Sequence, residues 1–458
     1  MTPASVEPFV PAPRPSWLDR VLSVVTDVRA GEGAGALLLA ANVFVLLASY
    51  YVLKTVRESL ILSEGGAEVK SYAAAGQALL LLAFVPLYGA LATRVDRLRL
   101  VSGVTLFFAS HLVIFYLLGS AGIQVGVPFF LWIGIFNLVV VAQFWAFAND
   151  LYDSERGKRL FPVIGVGSLL GAWLGAVAAS ALFTRVGPYE LMLLATVGLI
   201  GCVVLTRWSD RRERRAVPRD AGSAVSGKRE GAEPLGKAGG FQLVLSQRYL
   251  LLIGLLVLVL NIVNTVGEYI LGRLVVEDSA AKIASGAAGG LSEEALIGQF
   301  YGNFFGWVNL VGLLLQLFLV SRLFKWIGVR GTLFVLPIIA VFSYSALALV
   351  PVLAVVSIAK ILENSSDYSV NNTAKHALFL PTSREAKYKA KQAIDSFFWR
   401  TGDMLQAVIV FVGVQLAFGI RGFAVINLAF VAIWILLVIG IAAEHRKLTT
   451  ADTAQRAA

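Results

Sequence analysis

Residues 42–62 read NVFVLLASYYVLKTVRESLIL. The stretch is long and apolar enough to cross a bilayer, which takes about 20 helical residues. Yet Lys54, Arg57 and Glu58 sit inside it. A charge at the bilayer centre costs roughly 2.5–3.5 kcal/mol on insertion scales. Three of them in little more than one helical turn are hard to tolerate against lipid. They must face a protein interior or a water-filled cavity, so the segment predicts a membrane helix with a functional face.

The rest of the chain carries the same signature. Of its 458 residues, 57% are hydrophobic and only 15% are charged, where a soluble domain carries about 25% charged residues. The mean hydropathy is +0.76. These values predict an integral membrane protein. Twelve apolar runs are long enough to span, at about 35–60, 71–93, 99–120, 127–149, 160–184, 189–207, 248–271, 297–321, 331–349, 352–377, 392–418 and 421–443.

The net charge of +10 is placed in loops, so it points to anionic lipid rather than to nucleic acid. Basic residues gather at 94–99, 150–159, 207–248, 322–330 and 382–391, including RRERR at 211–215. The alternate loops at 62–70, 121–126 and 277–295 are neutral or acidic. The positive-inside rule then predicts twelve helices with both termini cytoplasmic. Cys202 is the single cysteine, which excludes an intramolecular disulfide, and His111, His376 and His445 are scattered without metal-site spacing. No metal and no cofactor are expected. The first residues lack the pattern of a cleaved signal.

The expected organisation is an N-terminal segment at 1–33, a six-helix half at 34–207, a basic linker at 208–247, a second six-helix half at 248–443 and a tail at 444–458. Within 16–29, Trp17, Leu18, Val21, Leu22, Val25 and Val28 recur at helical spacing. They predict a short amphipathic helix, lying on the membrane face or packed on the protein's own loops. The two halves echo each other: RVDRLR (94–99) matches RLFKWIGVR (322–330) in position, and SERGKR (154–159) matches SREAKYKAK (383–391). Two parallel six-helix repeats around a midplane cavity describe the all-α major facilitator architecture. GALATRVDRLR (89–99) loosely resembles that superfamily's turn between its second and third helices.

Polar groups inside the helices mark the candidate site. Lys54 and Glu58 stand four apart and can pair, while Arg57 can grip a phosphate or carboxylate with two parallel hydrogen bonds. A salt-bridge set that merely locks the first helix to a neighbour is the rival reading. In the seventh helix Asn261, Asn264 and Glu268 form a stripe, with a rim pair to Arg273 as the plainer role of Glu268. In the eighth, Gln299, Asn303 and Trp307 share a face that could stack and hydrogen-bond a ring. The tenth is the most polar: Lys360, Asn364, Asp367, Asn371 and Lys375 run along one side, flanked by Glu363 and Tyr368. Such a helix lines a path or is broken there. In the eleventh, Asp395, Trp399, Asp403 and Gln406 recur beside Arg400.

Three pieces of text resemble the nucleotide (ATP/ADP) translocases of obligate intracellular bacteria and plastids, distant members of the major facilitator superfamily. They are YYVLKTVRESLIL (50–62), QFWAFANDLYDSERGKRLFPVIGVGSLLG (143–171) and DYSVNNTAKHALFLPTSREAKYKAKQAID (367–395). The family's first-helix motif of two bases and an acid falls on Lys54, Arg57 and Glu58. The resemblance implies a transporter of nucleotides or related phosphorylated metabolites, by exchange or by proton coupling, in a bacterial inner membrane.

The expected substrate set is Lys54, Arg57, Glu58, Asn303, Trp307, Lys360, Asn364 and Asn371, with Glu268, Asp367 and Asp403 as coupling or gating groups. The expected partners are a small anion and the bilayer, with no nucleic acid, and the expected state is a monomer. A carrier of another organic anion or of a drug is the alternative. An enzyme would need a nucleophile, base or metal set at one membrane depth, and no Cys/His pair or His cluster supplies it.

Overall fold

Backbone amides in hydrocarbon find no water, so each apolar run must satisfy its own hydrogen bonds as helix. The computed structural model describes residues 16–23, 26–92, 94–152, 154–216 and 239–457, and among them it contains helices and connecting turns. In chain order these are α1 (Trp17–Leu22), α2 (Gly33–Ala92), α3 (Arg97–Ser120), α4 (Gly126–Phe136), α5 (Ala142–Leu151), α6 (Ser154–Val186) and α7 (Pro188–Ala216). After residues outside the described set come α8 (Gly240–Ser246), α9 (Arg248–Ala284), α10 (Glu293–Leu314), α11 (Val320–Thr332), α12 (Val335–Leu349) and α13 (Leu353–Ser366). The chain ends in α14 (Asn372–Leu378), α15 (Lys391–Ala393), α16 (Trp399–Gln415) and α17 (Ile420–Ala457).

Among the described residues, nine helical stretches are long and apolar enough to cross a membrane. The first, Gly33–Gly89, has 57 residues, far more than one crossing takes. It is divided at Gly66, where φ is +72°. Only glycine adopts that backbone without strain, so α2 is two helical arms joined by a tight turn. Most of the basic linker expected at 208–247 lies outside the described residues.

The amphipathic helix expected over 16–29 is much shorter, and the reason is Asp19. Its carboxylate accepts the backbone N–H of Ser16 at 2.8 Å, of Gly31 at 3.0 Å and of Gly33 at 2.9 Å. The Gly31 amide foremost holds this carboxyl down at about 2. The chain after α1 therefore folds back onto the start of α2. Thr26 donates to the Arg159 carbonyl at 2.6 Å and Arg159 to the Asp27 carbonyl at 2.8 Å. The segment packs on the protein's own turns.

The buried apolar residues form two clusters, one drawn from 28–202 and one mainly from 243–441. Leu87, Phe342, Leu349 and Leu436 point outward and are exposed, as a lipid-facing belt requires. Within the first cluster, Gly167, Gly171 and Gly175 of α6 lie directly on the backbone of Ala40, Phe44 and Ala48 of α2. Glycine at every fourth position lets two membrane helices approach this closely.

The clusters meet along a seam. Ser59 donates to the Glu294 carbonyl at 2.5 Å, Ser180 to the Gln299 carbonyl at 3.1 Å and Gln406 to Ser71 at 3.1 Å. Gly298 and Gly302 of α10 face the Phe183 ring and the Ser180 backbone of α6. Far from this seam, Glu32 binds Arg156 at 3.3 Å and Arg159 at 2.8 Å, and Arg156 binds Glu213 at 3.2 Å. These pairs tie together the helix ends beside the start of α2.

A Cβ at position 302 would stand 2.6 Å from the Ser180 nitrogen. Gly302→Val is therefore expected to force the seam open. Spin labels at positions 63 and 293 should report a longer mean distance in the variant. An unchanged distribution would show that α6 and α10 do not latch this face.

Candidate functional site

The seam roofs a central cavity of about 250 Å3, lined by side chains from both clusters. From α2 come Tyr50, Lys54, Arg57, Glu58, Lys70 and Ser71. Opposite stand Glu268 of α9, Phe305 of α10, Asn364 of α13, Tyr368 just after α13 and Gln406 of α16, with Phe130 of α4 closing one side. The first arm of α2 presents residues 50, 54, 57 and 58 because 3.6 residues complete a turn. The break at Gly66 then returns the second arm so that Lys70 meets Glu58.

The ion pairs differ from the simplest spacing rule. Four-residue spacing allowed a Lys54–Glu58 pair, but Glu58 instead binds Arg57 and, at 2.6 Å, Lys70. Its side chain is only 2% exposed. Arg57 beside it and Lys70 from the second arm together satisfy this buried carboxylate more fully than a single lysine would. Lys54 is left with aromatic neighbours. Its ammonium lies 4.2 Å from the Phe305 ring centre, 5.2 Å from Tyr51 and 5.8 Å from Tyr368. Cation–π contacts of this kind offset part of the lost hydration. Arg57 also lies over the Phe130 ring at 4.9 Å.

Lys360 of α13 stands behind the cavity wall, fully buried. Its ammonium meets the Asn264 side-chain oxygen at 2.8 Å, Glu363 at 3.1 Å and Glu268 at 3.7 Å. Tyr344 donates to Glu363 at 3.1 Å, and Asn364 to Glu268 at 3.0 Å. Glu268 is thus a bridge between the cavity and the buried lysine. The rim pair with Arg273 does not form, because Arg273 binds Glu277 at 2.9 Å.

The remaining predicted residues lie around this centre. Asp367 accepts from Asn371 at 2.6 Å and faces Lys375 at 3.8 Å. Asp403 accepts from Asn261 at 2.7 Å and from Arg400 at 3.3 Å. Asp395 sits at the surface, paired with Lys391. Asn303 and Trp307 are exposed and do not line the cavity. The polar tenth helix is not broken: Asp367–Asn371 forms one π-helical turn between α13 and α14. Such bulges widen a helix locally and recur at functional sites.

Lys70, Phe130 and Phe305 are lining residues that sequence reading left out. Lys70 reads as a loop lysine until the Gly65–Gly66 pair is taken as the end of the first arm. The two phenylalanines carry no signal that separates them from the many lipid-facing ones.

A helical bundle in two clusters, with a charged cavity between them, defines a polytopic membrane protein. Solved structures bear out the fold. A bacterial homologue of the human lysosomal transporter Spinster, in an inward-facing and unoccupied conformation, matches with a TM-score of 0.57 at 14% identity, over 91% of this chain and 98% of that one. The nucleoside transporter NupG matches at 0.60 and 13% identity, over 89% and 98% of the two chains. A peptide-transporter-family (POT) structure matches at 0.62 and 13%, over 91% and 97%. All are of the major facilitator type.

More particular relatives carry the sequence likeness. Residues 313–445 match the family model described as TLC ATP/ADP transporter. The ADP,ATP carrier protein 1 of Chlamydia pneumoniae is 28% identical over 337 residues, which are 65% of this chain and 63% of that protein. Its namesake in Chlamydia trachomatis is 26% identical over 298 residues, 58% of this chain and 54% of that one. The matches thus span less than two thirds of those relatives' length. They bear out the resemblance to the nucleotide translocases.

Proposed function

We propose that the protein is a secondary transporter that moves nucleotides or related phosphorylated metabolites across a bacterial inner membrane by alternating access. One observation carries the reading. Lys54 lines the cavity between two helical clusters, and among the described residues no carboxylate pairs with it. An ammonium in that position is a seat for an incoming anion. Arg57 stands one turn on, its guanidinium held by Glu58, which Lys70 also binds. The names of the chlamydial relatives support the substrate class.

In this reading the chain crosses the membrane twelve times, with both termini cytoplasmic. The arms of α2 count as two crossings. The α4–α5 and α10–α11 stretches count once each, α12 alone is one, and α13 with α14 is another. The halves 34–207 and 248–443 rock around the cavity. The seam at Ser59, Ser180 and Ser71 closes its outer side and parts when the protein turns outward. The protein works as a monomer.

The test is uptake by the purified full-length chain in proteoliposomes. Vesicles preloaded with unlabelled nucleotide should accumulate labelled nucleotide faster than empty ones if transport is exchange. Equal accumulation that collapses with the pH gradient would instead mark proton coupling. No uptake of any phosphorylated compound would sink the proposal and favour another organic anion or a drug.

A further inference from the structure

Resting on that reading, we propose that the cavity takes a substrate with a single phosphate monoester attached to a planar ring, such as a nucleoside monophosphate, and discriminates against di- and triphosphates. The argument is charge balance. The cavity wall carries Lys54, Arg57 and Lys70 against Glu58 and Glu268. That leaves one excess positive charge. Lys360 and Glu363, directly behind Glu268, add one charge of each sign and leave the balance unchanged. Farther out, Lys375 is matched by Asp367 and Arg400 by Asp403.

Among the described residues, Lys54 alone of these cations pairs with no carboxylate, so the cavity offers one anion seat rather than a row of them. A phosphate monoester carries about 1.5 to 2 negative charges at neutral pH, which Lys54 and the outer face of Arg57 can hold between them. Each additional phosphate brings further charge into the same enclosure, toward Glu58 and Glu268. Those two carboxylates are fixed by their own partners and cannot turn away.

Size and lining agree with the charge. Ligand pockets for small organic molecules enclose about 300–1,000 Å3, and this cavity at about 250 Å3 falls just below that range, which favours a small substrate. Tyr368 and Phe305 stand beside the Lys54 ammonium, and Tyr50 lines the same wall, stacked on Phe136 at 6.3 Å. These faces suit a ring placed next to a phosphate.

The experiment is equilibrium binding to the purified full-length protein without divalent cations, comparing AMP, ADP, ATP, adenosine and ribose 5-phosphate. AMP is expected to bind at least tenfold more tightly than ATP, adenosine or ribose 5-phosphate. ATP binding as tightly as AMP would overturn this inference while leaving the phosphorylated-substrate reading standing. Adenosine binding as tightly as AMP, or no binding at all, would overturn both. Ribose 5-phosphate equal to AMP would overturn the ring. Glu268→Gln, which adds one net positive charge, should narrow the AMP-to-ATP ratio several-fold. An unchanged ratio in the folded variant would show that charge balance is not the selector. If that variant does not fold, the wild-type series decides alone.

Discussion

Lys54→Gln is expected to cut uptake of the phosphorylated substrate about 100-fold, with little change in thermal stability. Truncating one partner of a buried, hydrogen-bonded charge pair costs about 2–5 kcal/mol, and each 1.4 kcal/mol is about tenfold. In this case the pair exists only when substrate is bound. Without substrate, Lys54 meets the rings of Phe305, Tyr51 and Tyr368. Its removal therefore orphans no carboxylate, and the folded state keeps its other ion pairs. The measurements are counterflow in proteoliposomes and thermal unfolding of the same preparation. A large fall in melting temperature with wild-type uptake would make Lys54 a structural strut. Lys54→Arg is expected to recover only part of the activity, since a planar guanidinium presents its donors in a fixed fork rather than as a point charge.

The sequence made the membrane class and the Lys54, Arg57 and Glu58 site legible for one reason: a charge in an apolar run has no low-cost explanation other than an interior. The same logic found Lys360, Glu268 and the polar tenth helix. It could not tell which charges pair. The four-residue spacing of Lys54 and Glu58 is a local rule, whereas Lys70 reaches Glu58 only through the turn at Gly66. Rotation about the helix axis was equally invisible. In α10, positions 303 and 307 form a polar and aromatic stripe, yet Phe305 faces the cavity. Residues two apart point about 200° from each other on a helix, so choosing the wrong stripe turns the face inside out. The apolar spacing of α1 continues past its end, while the Gly31 and Gly33 amides bind Asp19 and fold the chain back, with the Ser16 amide capping the start of the helix.

Glu58→Gln should have the largest effect on stability. Glu58 is the single carboxylate between Arg57 and Lys70, and it is 2% exposed. Removing one partner of a buried ion pair costs about 3–5 kcal/mol, because the surviving charge is left uncompensated. In this protein two cations are left, and Lys54 is close by. The arms of α2 on either side of Gly66 also lose the bond that joins them. The expected result is a variant that expresses poorly and unfolds at a much lower temperature. Lys70→Gln should be milder, since Arg57 still neutralises Glu58. Combining Glu58→Gln with Lys70→Gln should be more stable than Glu58→Gln alone, because one of the orphaned cations is gone. The difference among the four proteins gives the coupling energy of the pair directly. If Glu58→Gln were as stable as the parent while uptake collapsed, the buried cluster would be held mainly for handling substrate, and its carboxylate would be solvated in the resting state. If both stability and uptake fell, restoration of stability alone in the double variant would separate the two tasks: Glu58 fixing the bend of α2, and Lys54 with Arg57 holding the anion.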